Sequence, residues 1–136
     1  MRPGAHRPAD AVNLHATAFV LGDRGVLVSG ASGSGKSLFA LTMVEQERAA
    51  GRYARLVADD QVFAAKRHGR LVVFAPTAIA GLAEARGFGP SRQEHEPATV
   101  IDLEVELAAG RPERHQAGKL RNRQGIDLPL VTLGID

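Results

Sequence analysis

The chain has 136 residues, which corresponds to one domain at roughly 150 residues per domain. Its 44% apolar and 24% charged residues are ordinary for a globular protein, and with no cysteine it has no disulfides, thiolate metal sites or thiol nucleophile. A net charge of only +2, with five Phe, one Tyr and no Trp, argues against bulk nucleic-acid binding and base stacking. No apolar run approaches the ~20 residues of a membrane span and the opening residues lack a signal-peptide core, so a cytoplasmic protein is expected.

Residues 1–12 hold two prolines and no periodic pattern, and read as a flexible leader to one domain over residues 13–136. The run from His15 to Leu21, the turn signal Gly22-Asp23-Arg24-Gly25 and the run Val26-Leu27-Val28 predict a hairpin. Its second strand leads into a glycine-rich loop. Phe39, Ala40, Met43 and Val44 then recur at helical spacing, with Gly51 as the stop. Leu56-Val57-Ala58 reads as a short buried strand that ends in Asp59-Asp60, and Val62–Ala65 with Leu71–Phe74 as a second hairpin.

Residues 76–86 fit neither helix nor loop cleanly, and residues 87–96 read as a loop. Ile101, Leu103, Val105 and Leu107 alternate with Asp102, Glu104 and Glu106, the pattern of a strand with one buried and one solvated face. Residues 110–125 are polar and basic and read as a long mobile loop before a last strand over 128–133.

Gly30-Ala31-Ser32-Gly33-Ser34-Gly35-Lys36-Ser37 matches G-x-x-x-x-G-K-[ST] in full, with an apolar strand before it and an amphipathic helix after it. Such a loop turns successive backbone N–H groups toward a phosphate at a helix N-terminus. Lys36 is expected on the terminal phosphates of a nucleotide and the Ser37 hydroxyl on Mg²⁺. Asp59 and Asp60 close an apolar strand twenty-three and twenty-four positions after Lys36. Two carboxylates there can divide metal binding from proton acceptance. His15 sits on the strand paired with the one that feeds the loop. A lone histidine is as often a plain surface residue. Glu84 and Arg86, unaided, are an ordinary charged pair.

These segments, His15-Ala16, Gly25 through Ser37, Val57-Ala58-Asp59-Asp60 and Gly81-Leu82-Ala83-Glu84-Ala85-Arg86-Gly87-Phe88-Gly89, in this order resemble the catalytic domain of HPr kinase/phosphorylase, in a form without the family's N-terminal domain. The resemblance implies a single α/β phosphate-loop domain with a mixed sheet and hairpins, similar to the nucleotide-binding core of phosphoenolpyruvate carboxykinase. It further implies an ATP- and Mg²⁺-dependent serine protein kinase acting on HPr or a related phosphocarrier of the phosphotransferase system, with phosphorolysis as a reverse reaction. Neither nucleic acid nor membrane is implied as a partner. A homo-oligomer is, a hexamer in that family.

By the same resemblance Lys36 and Ser37 match the phosphate and metal ligands. Asp59 and Asp60 match the acidic pair that supplies the base, with Asp60 also on the metal, and His15 matches a histidine near that pair. Glu84 matches an acid near the metal. Arg114, in Glu113-Arg114-His115-Gln116-Ala117-Gly118, matches a catalytic arginine. A small-molecule kinase or NTPase, and a nucleotide-binding regulator without turnover, use the same loop and stay open as alternatives. Because the polar stretch 110–125 is long and basic, it is also the expected docking element for a protein acceptor.

Overall fold

A computed structural model describes residues 10–76, 95–109 and 118–135. Among them nine strands and one helix follow the order β1 (Val12–Leu14), β2 (Thr17–Leu21), β3 (Arg24–Gly30), α1 (Lys36–Ala49), β4 (Ala54–Ala58), β5 (Val62–Arg67), β6 (Arg70–Phe74), β7 (Ala98–Ala109), β8 (Leu120–Arg123) and β9 (Ile126–Ile135). The strands form one mixed sheet in the order β1-β5-β6-β7-β3-β2-β4, with β9 joined to β7 and β8 to β9.

The first hairpin forms as its residues predict, with Leu21 opposite Arg24 and only Gly22-Asp23 in the turn. Arg24 and Gly25 belong to the second strand. The β5–β6 hairpin turns through His68 and Gly69, both at positive φ (53° and 74°), the two-residue turn whose twist suits antiparallel strands. β1 starts inside the expected leader, where Val12 pairs with Ala64 and Ala11 is buried.

Strand direction gathers four strand ends at one edge. β2 is antiparallel to both β3 and β4, while β3, β7 and β9 run parallel. Hence β3, β4, β7 and β9 all point their carboxyl ends to one edge of the sheet, the edge where open α/β sheets bind ligands. The helix α1 bridges β3 to β4 across β2. Its inner residues Ala40 and Val44, with Phe39 and Met43, pack on Phe19, Val26, Val28, Ala54, Leu56, Val105 and Leu107. Past its end Gly51 takes φ 82°, its N–H reaches the Arg48 carbonyl (3.0 Å) and the Arg52 N–H reaches that of Glu47 (2.9 Å). This pair of hydrogen bonds to the last turn, with the left-handed Gly51, ends the helix where the sequence expects. A second core on the opposite face gathers Ala18, Leu27, Val57, Val62, Leu71, Val73, Ile101 and Leu128.

Two features depart from the sequence reading. Glu104 is fully buried, although alternation placed it on a solvated face. Its neighbours β3 and β9 flank β7 on both sides, and the Glu104 carboxylate accepts hydrogen bonds from Ser29 Oγ (2.6 Å), Arg123 (2.8 and 2.9 Å) and Arg121 (3.3 Å). Arg121 also pairs with Glu106 at 3.1 Å. Secondly, residues 118–125 are no loop. Leu120–Arg123 is a strand, turned through Gln124 and Gly125 (φ 55° and 83°) into β9, which starts at Ile126. Arg121 and Arg123, read as part of that loop, are the partners of Glu104, and Arg121 also of Glu106. Residues 110–117 lie outside the described residues.

A bulge where Gly25 faces Ile101 and Val26 faces Leu103 leaves Asp102 as the extra residue of β7. Its carboxylate takes the Gly25 N–H at 2.9 Å and Arg70 at 3.3 Å. A Cβ on Gly25 would lie 2.0 Å from the Val100 carbonyl oxygen, so only glycine fits this crossing.

Candidate active site

The segment Gly30–Ser37 leaves the carboxyl end of β3 and enters α1, which begins at Lys36. Gly30 takes φ 144°, and a Cβ there would meet the Leu107 carbonyl oxygen at 2.6 Å and Ser34 Oγ at 2.8 Å. The loop is therefore pressed against β7 at its first residue. The Ser34 N–H bonds back to the Ala31 carbonyl at 3.0 Å, while Ala31, Ser32 and Gly33 are exposed. Lys36 is buried and donates through Nζ to the carbonyls of Gly30 (3.1 Å) and Ala31 (3.2 Å), folding the loop around its own ammonium. Ser34 Oγ is buried with no hydrogen-bond partner among the described residues. A buried hydroxyl without a partner is costly, and a phosphate oxygen is a group that would satisfy it.

The Asp59-Asp60 turn stands next to this loop because β4 and β3 end at the same edge. Ser37 Oγ donates to Asp59 Oδ1 at 2.5 Å. Thr17, at the start of β2 between the two strands, donates to the same oxygen at 3.2 Å and accepts the Asp60 N–H at 3.1 Å. Both aspartates are exposed, and Asp60 takes φ 68°, a left-handed conformation uncommon for non-glycine residues that Asp adopts more readily than most. His15 is exposed at the bend between β1 and β2, two residues before Thr17, and so lies at this edge. β7 ends here too, at Ala109, just before the stretch that contains Arg114. Arg114, Glu84 and Arg86 lie outside the described residues.

The structure thus brings Gly30, Ala31, Ser32, Gly33, Ser34, Gly35, Lys36, Ser37, Asp59 and Asp60 to one edge. Thr17 was missed by motif reading. Its signal is a hydroxyl inside the apolar run Ala16-Thr17-Ala18-Phe19-Val20, since a polar group there must find a partner.

The HPr serine kinase C-terminal domain family model matches residues 7–124, most of the chain. The chain belongs to this family. An HPr kinase/phosphorylase from an Exiguobacterium species is 35% identical over 134 residues, covering 82% of this chain and 38% of that protein. The chain thus spans well under half the length of this curated relative. Among solved structures, the HPr(Ser) kinase/phosphatase from Coxiella burnetii shares the fold, with a TM-score of 0.65 at 20% identity over 91% of this chain and 86% of that one. Membership of the HPr kinase family and the mixed α/β sheet therefore agree with the sequence reading. Among the described residues no helix is long and apolar enough to cross a membrane.

Proposed function

We propose that this chain is an ATP- and Mg²⁺-dependent kinase that phosphorylates a serine of HPr or a related phosphocarrier, with phosphorolysis as the reverse reaction. The observation that carries this reading is the joint edge where the Gly30–Ser37 loop, with its unpartnered Ser34 hydroxyl, meets the Asp59-Asp60 turn. The family match supports the acceptor class.

The residues fit a nucleotide phosphate. Exposed loop residues, the α1 N-terminus and Ser34 Oγ offer donors, and Lys36 can exchange its two carbonyl partners for phosphate oxygens. They also fit Mg²⁺, an ion commonly held by one or two protein groups plus phosphate and water. Ser37 and Asp59 already share a hydrogen bond, which supports Asp59 beside Ser37 as a metal ligand where the resemblance gave Asp60, with Glu84 by resemblance. A bound Mg²⁺ would neutralise charge on the transferring group.

Phosphoryl transfer needs mainly positioning and charge neutralisation. Lys36 and the loop N–H groups hold the terminal phosphate. The exposed acidic pair, Asp60 foremost, accepts the proton of the acceptor serine as its oxygen bonds to phosphorus and the bond to the departing nucleoside diphosphate breaks. His15 lies near enough along the chain to assist at the same edge, and Arg114 is the proposed contact to the transferring group. The fold reading extends to the phosphoenolpyruvate carboxykinase-like nucleotide core, and assembly to a homo-oligomer.

Label from γ-labelled ATP distinguishes the readings. Label on the carrier's serine supports the proposal, label on a metabolite a small-molecule kinase, and binding without transfer a regulator.

A further inference from the structure

Among the residues around the site, Thr17 is the one whose contacts exceed what packing requires. It is fully buried at the head of β2, opposite Val28 of β3, where a β-branched side chain has little rotamer freedom. One hydroxyl there serves two residues at once: it donates to Asp59 Oδ1 and accepts the Asp60 N–H, at 3.2 and 3.1 Å. Asp59 Oδ1 receives a second hydrogen bond from Ser37 Oγ.

We infer that Thr17 is a positioning residue that holds Asp59 and Asp60 in their working arrangement, a role resting on the kinase reading above. The role matters most when Ser37 is engaged. If its hydroxyl turns to a metal or phosphate, Asp59 Oδ1 loses that donor, and the Thr17 hydroxyl still fixes the carboxylate from the buried side. The same hydroxyl anchors the Asp60 N–H and so helps maintain its left-handed backbone (φ 68°), which aims the second carboxylate. Thr17 touches neither substrate nor reacting atoms in this role. It acts through the aspartates, as hydrogen-bonded supports orient ligating carboxylates elsewhere.

The test compares Thr17→Val, which keeps shape and removes the hydroxyl, with Thr17→Ser, which keeps the hydroxyl. Thr17→Val should lower kcat for carrier phosphorylation roughly 10–100-fold while leaving the ATP Kd nearly unchanged, and Thr17→Ser should restore most of the rate. Amide exchange at Asp60 should quicken in Thr17→Val and not in Thr17→Ser. Should Thr17→Val not fold, Thr17→Ala serves in its place. Unchanged kcat, unchanged Asp60 exchange, or failure of serine to rescue overturns the role. If the wild type transfers no phosphoryl group, the kinase reading fails and the positioning role with it, whereas an active wild type with an indifferent Thr17→Val removes only the latter.

Discussion

Lys36 carries two duties that pull in different directions. It is the residue expected on the terminal phosphates, yet it is buried and its ammonium is bonded to the Gly30 and Ala31 carbonyls. Lys36→Ala should therefore reduce transfer by at least ~100-fold and also lower stability by about 1–3 kcal/mol, because hydrogen bonds from a charged group to the loop are lost. Kinetics and denaturant unfolding of the same preparation check both. The acidic pair should separate by role. Asp60→Asn should depress kcat by roughly 10²–10⁴-fold with ATP affinity nearly intact, and Asp59→Asn should raise the Mg²⁺ concentration needed for half-maximal rate. Equal effects on both parameters in both variants would show that the two carboxylates do not divide the work. The phosphate loop and the aspartates were legible in the sequence because each is a local pattern. Thr17 was not, because its meaning depends on Asp59 and Asp60 meeting it from another strand.

At the scale of elements, the β8–β9 hairpin is fastened to the centre of the sheet by charge. Burial, the largest influence, pushes the Glu104 carboxyl upward. Hydrogen bonds from Arg123 and Ser29, with the Arg123 and Arg121 charges, outweigh it and leave the group below its ordinary value. Its stabilising contribution is thus complete above the unfolded carboxyl value of about 4.3 and is lost as pH falls through the lower folded value. Breaking the cluster with Glu104→Ala should cost about 3–5 kcal/mol near neutral pH, since it strands the half-buried Arg123 guanidinium and leaves Arg121 with Glu106 alone. Unfolding measured from neutral pH down through the acid range should show a steeper loss for the wild type than for Glu104→Gln. Parallel curves would place the acid sensitivity elsewhere.

This hairpin is also where the sequence was least informative. Arg121 and Arg123 look like a solvated run until Glu104, nineteen residues before Arg123, is known to be buried against them. The Gln124-Gly125 turn carries a weaker signal than His68-Gly69, which lay between two apolar runs. Gly25, in contrast, is a structural requirement. Gly25→Ala drives a methyl into the Val100 carbonyl at the β3–β7 bulge and should destabilise by about 1–3 kcal/mol, read as a drop in Tm.

For the whole molecule, the direction of four strands does most of the functional arrangement. β3, β4, β7 and β9 end together, so the phosphate loop, the acidic turn and the root of the segment after β7 converge at one edge. The sheet order was not readable from local patterns, because register and neighbour choice are set by burial on both faces. The strand next to the loop, β7, shows this: its charged face is covered by a hairpin later in the chain. Saturating Mg-ATP should raise Tm, as a ligand selective for the folded state must. The central claim is that this edge transfers a phosphoryl group to a protein serine, and intact-mass analysis with site mapping of an HPr-like carrier after incubation with the chain and Mg-ATP tests it most directly. One phosphoryl group on a carrier serine, absent with Lys36→Ala, is the expected result; an unmodified carrier beside a chain that binds Mg-ATP would overturn the claim.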